Sequence, residues 1–347
     1  MQDIKVTIIQ SDIYWENIKK NIDSFSKKIE TINEKTDLIV LPEMFNTGFT
    51  MNVNRYHELM NGRTCRWMRE IAINKKCAIT GSLIIKENEN FYNRLIWINP
   101  DGTTQFYDKH HLFRMAGENE NYTEGNKTII GNINNFNFLP LICYDLRFPI
   151  WSRNKYSHTH DTYRYDCLVY MANWPEKRSD AWKTLLTARA IENQSYVIGV
   201  NRIGKDYNNH DYKGESLIIS PKGKILNNPS ENAESIETVT LPYSELDDFR
   251  KSFFVAKDWD KFKVFTKDEI EEHRIHKKLR YQKRNSIWAK LRRRKILITI
   301  IIVFSLILSA ALLTLNGKKY QPNYDKYKIG KAIKDGRVVN TKDNLPH

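Results

Sequence analysis

Three segments of this chain each end an apolar run with one ionisable side chain. In Phe138-Leu-Pro-Leu-Ile-Cys143 the run delivers a thiol, and a loop, Tyr144 to Phe148, then leads to Pro149, a residue suited to the first turn of a helix. Leu38-Ile-Val-Leu-Pro-Glu43 delivers a carboxylate, and Phe106-Tyr-Asp-Lys109-His-His-Leu-Phe113 delivers an ammonium between apolar flanks. A thiol at the end of a strand sits on a stiff support with backbone N–H groups around it, as a nucleophile facing a developing oxyanion requires. Together the three groups meet the needs of amide hydrolysis through a thioester. The carboxylate takes the thiol proton and later hands it to departing ammonia; the ammonium stabilises the oxyanion and lowers the thiol pKa by proximity. Each residue alone has a plainer reading: Cys143 as a small buried hydrophobe, Glu43 as a helix cap, Lys109 as a paired charge at a strand end.

The elements that must position these groups follow from periodicity. Ile4–Ile9 reads as a strand, and Ile18, Ile22, Phe25, Ile29 and Ile32 mark the buried face of a helix over residues 15–32. Leu38–Leu41 is a short strand, a helix covers residues 66–74, and strands follow over 77–85 and 91–98. Asn99-Pro-Asp-Gly102 turns the chain into a strand over 103–107. The strand ending at Cys143 precedes strands 167–171 and 196–201, a helix 180–193 between them, and a hairpin of 217–220 with 224–226. Residues 158–165 read as a polar surface loop, and the insertion 155–165 as a feature that reshapes the mouth of the site. The alternation is that of an α/β protein with a mixed sheet.

The formal charge of +14 is unevenly placed. Residues 1–262 hold 34 Lys+Arg and 34 Asp+Glu, whereas residues 263–347 hold 21 and 7. An electroneutral body with a basic appendage argues against nucleic acid as a partner. Within the appendage, Thr266-Lys-Asp-Glu269 is a capping box, and acidic residues give way to basic ones as a helix dipole favours. Residues 296–315 then run without one charge and, at about 1.5 Å per residue, span about 30 Å. The reading is a juxtamembrane helix (263–295), a transmembrane helix (296–315) and a polar tail (316–347), with Trp288 and Tyr320 at the interfaces. The basic flank and the absence of an N-terminal apolar leader place the body on the cytoplasmic side, with membrane lipid as a partner. Cys65, Cys77, Cys143 and Cys167 lack the spacing of a zinc site or a disulfide framework, so no metal and no cofactor are expected.

Longer stretches carry a resemblance. Leu41-Pro-Glu-Met-Phe45 with Thr47-Gly-Phe49, Tyr107-Asp-Lys-His-His-Leu-Phe-Arg-Met-Ala-Gly-Glu118 and Cys143-Tyr-Asp-Leu-Arg-Phe-Pro149 are followed by Ala172-Asn-Trp-Pro175, Ala188-Arg-Ala-Ile-Glu-Asn-Gln194, Asn201-Arg202 and Gly214-Glu-Ser216. In this order, over residues 1–262, they resemble the nitrilase superfamily of carbon–nitrogen hydrolases, and within it the omega-amidase branch. The resemblance implies a four-layer α-β-β-α sandwich that pairs into homodimers. It implies Glu43 as general base, Lys109 as stabiliser of the intermediate, Cys143 as nucleophile and the N–H of Tyr144 as a second oxyanion donor. A further glutamate in such sites stands seven residues before a glycine, which selects Glu118 before Gly125, with Glu120 close by. Arg147 suits either a substrate carboxylate or a structural ion pair. Phe45, Phe113, Trp174 and Trp182 are candidate walls, whereas Asp145 and Glu192 read as structural. The expected reaction is hydrolysis of small omega-amides of 2-oxo dicarboxylic acids, 2-oxoglutaramate and 2-oxosuccinamate, by water. Other readings are a nitrile or N-carbamoyl amine hydrolase, an N-acyltransferase, or a silent membrane-tethered scaffold.

Overall fold

The computed structural model describes residues 2–265 and 267–315. The polar tail, Tyr320 and the Thr266 cap therefore lie outside the described residues. The chain divides into two units, 1–264 and 265–347.

The first unit is built on two sheets. One has six strands in the order Ser235–Leu241, Ile4–Gln10, Leu38–Val40, Ala78–Glu87, Asn90–Ile98 and Thr104–Asp108. The other has five, in the order Leu217–Ile219, Tyr196–Asn201, Cys167–Ala172, Phe136–Ile142 and Gly131–Ile133. Strand alternation sorts the side chains into layers. Ile4, Val6, Ile8, Leu38 and Val40 of the first sheet join Phe138, Ile142 and Val169 of the second in the core between the sheets. Ile9, Ile39 and Ile79 point the other way, onto Phe25 and Ile29 of the helix Ile18–Glu30 and Met68 and Ala72 of the helix Arg63–Lys75. On the far side Trp182, Leu186 and Ala190 of the helix Ser179–Asn193 cover the second sheet. The result is an α-β-β-α sandwich. Pro140 stands inside a central strand because its neighbour Gly131–Ile133 pairs only as far as Phe138.

Three differences from the sequence reading matter. The strand Ser235–Leu241 pairs antiparallel with Ile4–Gln10 along its whole length and closes the first sheet; its Glu237, Thr238 and Thr240 had obscured the pattern. The segment read as a polar loop is a β-hairpin, Tyr156–Ser157 with Thr162–Tyr163, and Tyr165 at its base is fully buried. None of residues 155–165 borders the cavity that holds Cys143, so the insertion does not reshape the mouth of the site. It meets the helix Tyr243–Ser252 instead, where Arg250 donates to Asp166 at 2.6 Å and to the Tyr165 carbonyl at 2.9 Å.

The second unit, so far as described, is one helix, Lys267–Leu315, without a break between its basic and apolar parts.

Because Arg250 and Asp166 are both buried, removing the cation strands a carboxylate. Arg250→Met is expected to cost about 3–5 kcal/mol of stability, measured by urea unfolding, with turnover at low temperature unchanged because no residue of this cluster borders the cavity.

Candidate active site

The carboxyl ends of three strands converge from both sheets. Glu43 follows Leu38–Val40, Lys109 follows the edge strand Thr104–Asp108, and Cys143 follows Phe136–Ile142. Lys109 Nζ lies 2.9 Å from Glu43 Oε1 and 2.9 Å from Glu118 Oε2. All three are buried: Lys109 is 1% exposed and both glutamates 0%. Asn93 Nδ2 donates to Glu43 at 2.8 Å and to Glu118 at 3.1 Å; the Asn173 N–H donates to the other Glu43 oxygen at 2.8 Å, and the Phe113 N–H to Glu118 at 2.6 Å. Both carboxyl groups act as acceptors in every one of these contacts. Glu118, not Glu120, is the glutamate beside Lys109.

Burial opposes charge on Lys109, but Glu118 and Glu43 raise its pKa above the ordinary ammonium value. Burial also pushes Glu118 upward, against the pull of Lys109. Cys143 Sγ donates to the Asn173 carbonyl at 3.9 Å, with the Glu43 carboxylate close enough to act on it. Its pKa is raised well above the usual thiol value by burial first and Glu43 second, with Lys109 opposing. Here the expectation of a lowered thiol pKa is corrected. Lys109 does act in that direction, but the loss of water and the Glu43 carboxylate outweigh it. The group at rest is a neutral thiol beside a carboxylate that can accept its proton.

The nucleophile's backbone is also distinctive. Cys143 has φ of +42°, in the left-handed region, where a residue with a side chain is uncommon and marks a sharp turn. It opens a 3₁₀ turn, Cys143–Arg147, so the N–H of Tyr144 falls among the first donors of a helical turn, which lack intrahelical acceptors. Asp145 holds this turn in place. Its fully buried carboxylate accepts from the Ile142 N–H (3.1 Å), Tyr107 Oη (2.7 Å), the His111 N–H (3.0 Å) and His111 Nδ1 (2.8 Å). It thereby ties the thiol's turn to the loop that carries Lys109.

A cavity of about 740 Å³ opens above these groups. Phe49, Phe113, Tyr144, Arg147 and Trp174 line it, with Arg178, Asp206, His210 and Tyr212 farther round. Phe45 does not. It is buried on the opposite face of the first sheet, 5.3 Å from Phe25 and 5.7 Å from Trp67. Positive φ at Met44 (+45°) and Gly48 (+76°) turns the chain so that Phe49 takes the wall, its ring 5.2 Å from Lys109 Nζ. Trp182 is likewise core, donating to the Glu215 carbonyl at 2.8 Å. The Arg147 guanidinium lies over the Trp174 ring at 4.8 Å and that of Arg178 over Phe113 at 5.2 Å. Among the described residues neither arginine has an ion pair. Asn93 and Arg178 went unread in the sequence, and Phe49 and Asn173 were read only as parts of longer motifs.

A thiol, carboxylate and ammonium at the floor of a pocket in a four-layer α/β sandwich define a carbon–nitrogen hydrolase. The chain belongs to the carbon-nitrogen hydrolase family, which it matches over residues 5–251, and falls in the omega-amidase branch of the nitrilase superfamily. It is 39% identical over 265 residues to omega-amidase YafV of Escherichia coli K12, covering 76% of this chain and 100% of that protein. It is 32% identical over 259 residues to 2-oxoglutaramate amidase of Bacillus subtilis, covering 73% and 96%. The crystal structure of XC1258 from Xanthomonas campestris, a CN-hydrolase superfamily protein with an arsenic adduct in its active site, superposes with a TM-score of 0.74 at 35% identity, covering 76% of this chain and all of that one. The chain is thus a hydrolase of carbon–nitrogen bonds other than peptide bonds.

The raised thiol pKa gives a direct test. Thiolate ultraviolet absorbance, taken as the difference between wild type and Cys143→Ser, is expected to appear only at alkaline pH, above the value of about 8.5 for an ordinary free cysteine. A thiolate already present at neutral pH would show that Lys109 dominates.

Proposed function

We propose that this chain is an omega-amidase in which Cys143, Glu43 and Lys109 form the catalytic triad and 2-oxo acid omega-amides are the substrates. The observation that carries the reading is the pairing of a half-buried thiol beside a buried carboxylate–ammonium pair with walls bearing two arginines that lack ion pairs among the described residues. Such walls suit an anionic amide. Its carboxylate meets Arg147 or Arg178 as a planar fork, and its amide carbon sits over Cys143. The named omega-amidase and 2-oxoglutaramate amidase relatives support the same substrate class.

In the first step Glu43 takes the Cys143 proton as Sγ attacks the amide carbon. The carbonyl oxygen becomes an oxyanion held by Lys109 Nζ and the Tyr144 N–H. On collapse the C–N bond breaks, Glu43 returns the proton to the leaving nitrogen, and ammonia departs from a thioester. Water then attacks the thioester with Glu43 again accepting a proton, and the acid leaves as Cys143 regains its own. Glu118 holds Lys109 charged and aimed. A neutral thiol suits this sequence, because the proton that Glu43 collects is the one the leaving nitrogen needs.

Ammonia release across a panel of 2-oxo acid amides, ordinary amides, nitriles and N-carbamoyl amines tests the substrate; preference for nitriles or carbamoyl amines overturns the reading. Cys143→Ser should stay folded and lose at least about 10³ in kcat. Arg147→Lys should lower turnover of 2-oxo acid amides about 10- to 100-fold more than that of uncharged amides, the scale of one charge-assisted fork. An equal fall for both substrate types would make the arginine structural.

A further inference from the structure

The second unit carries a feature that hydrolysis does not use. Residues 296–315 hold no charge, and every side chain from 296 to 312 is exposed around the full circumference of the helix. A partner helix covers one stripe of its neighbour; an apolar surface on all sides needs an apolar solvent. Among the described side chains of the run, the hydroxyls are already satisfied. Thr299 Oγ1 donates to the Lys295 carbonyl at 2.9 Å, Ser305 Oγ to Ile301 at 2.9 Å and Ser309 Oγ to Ser305 at 2.8 Å. Internal satisfaction of this kind is what a hydrocarbon surrounding demands. Neither glycine nor proline interrupts the helix from 267 to 315. Directly before the run, Lys290-Leu-Arg-Arg-Arg-Lys295 places five basic residues within one and a half turns, and residues 276–295 hold ten.

We infer that residues 296–315 cross a lipid bilayer, and that the basic segment before them rests on anionic headgroups. Charge sets the orientation. Residues 316–335 hold six Lys+Arg against the ten on the other flank, so the side bearing residues 1–295 is the cytoplasmic one.

The test uses the full chain. Expressed in bacterial cells, its amidase activity should sediment with membranes, resist alkaline carbonate, and be released only by detergent. Protease added outside intact cells should leave residues 1–295 whole. The variant Ile302→Arg/Phe304→Arg/Ile307→Arg should become soluble with unchanged turnover. That soluble variant should bind phosphatidylglycerol-containing vesicles reversibly and lose the binding at high salt. Replacing the five basic residues of 290–295 by Gln in it should weaken vesicle binding at least about tenfold. Activity that stays soluble after lysis without detergent, pelleting without membranes, or release by nuclease would each overturn the inference. Digestion of residues 1–295 from outside would reverse the orientation. If the chain lacks amidase activity altogether, an epitope tag gives the same fractionation readout, so the two proposals fail separately.

Discussion

The site depends on burying one ammonium between two carboxylates. Lys109, Glu43 and Glu118 give up their hydration almost completely, a cost that is recovered only if every lone pair and proton finds a partner. The fold supplies those partners from separate places: an asparagine in the middle of Asn90–Ile98, a backbone N–H beyond Cys167–Ala172, and another in the loop after Lys109. Burial first and Glu43 second raise the pKa of the thiol beside the trio, against the pull of Lys109. Higher in the cavity stand two cations, Arg147 and Arg178, each over an aromatic ring.

Both sheets contribute, so the centre exists only once they are packed face to face. Glu43 and Lys109 come from one sheet, Cys143 and Asn173 from the other. Asp145 bridges the layers through its bonds to Ile142 on one side and to Tyr107 and His111 on the other. Aromatic stacking reinforces that bridge, with His111 3.7 Å from Phe148 and His110 3.7 Å from Trp151. A shear between the layers would separate Glu43 from Cys143 well before the strands came apart.

What was legible in the sequence follows from the same geometry. Glu43, Lys109 and Cys143 each break an apolar run, and a charge at the end of a buried strand stands out. Asn93 does not, because a polar residue inside Asn90–Ile98 looks like the outward face of an ordinary strand. Phe45 and Phe49 were indistinguishable by type; only the left-handed residues Met44 and Gly48 decide which ring meets the cavity. The strand Ser235–Leu241 escaped notice because most of its side chains are half-buried, on a face that needs no apolar alternation. The hairpin at 156–163 is short and polar, and its base is tied to Arg250, almost a hundred positions away.

The left-handed turn and the crowded floor at Cys143 bear on how the protein ages. Peroxide and other oxidants attack thiolates, and a protonated cysteine climbs the sulfenic-to-sulfonic ladder slowly. By favouring the proton on sulfur, burial and the Glu43 carboxylate limit the lesion to which a reactive cysteine is most prone.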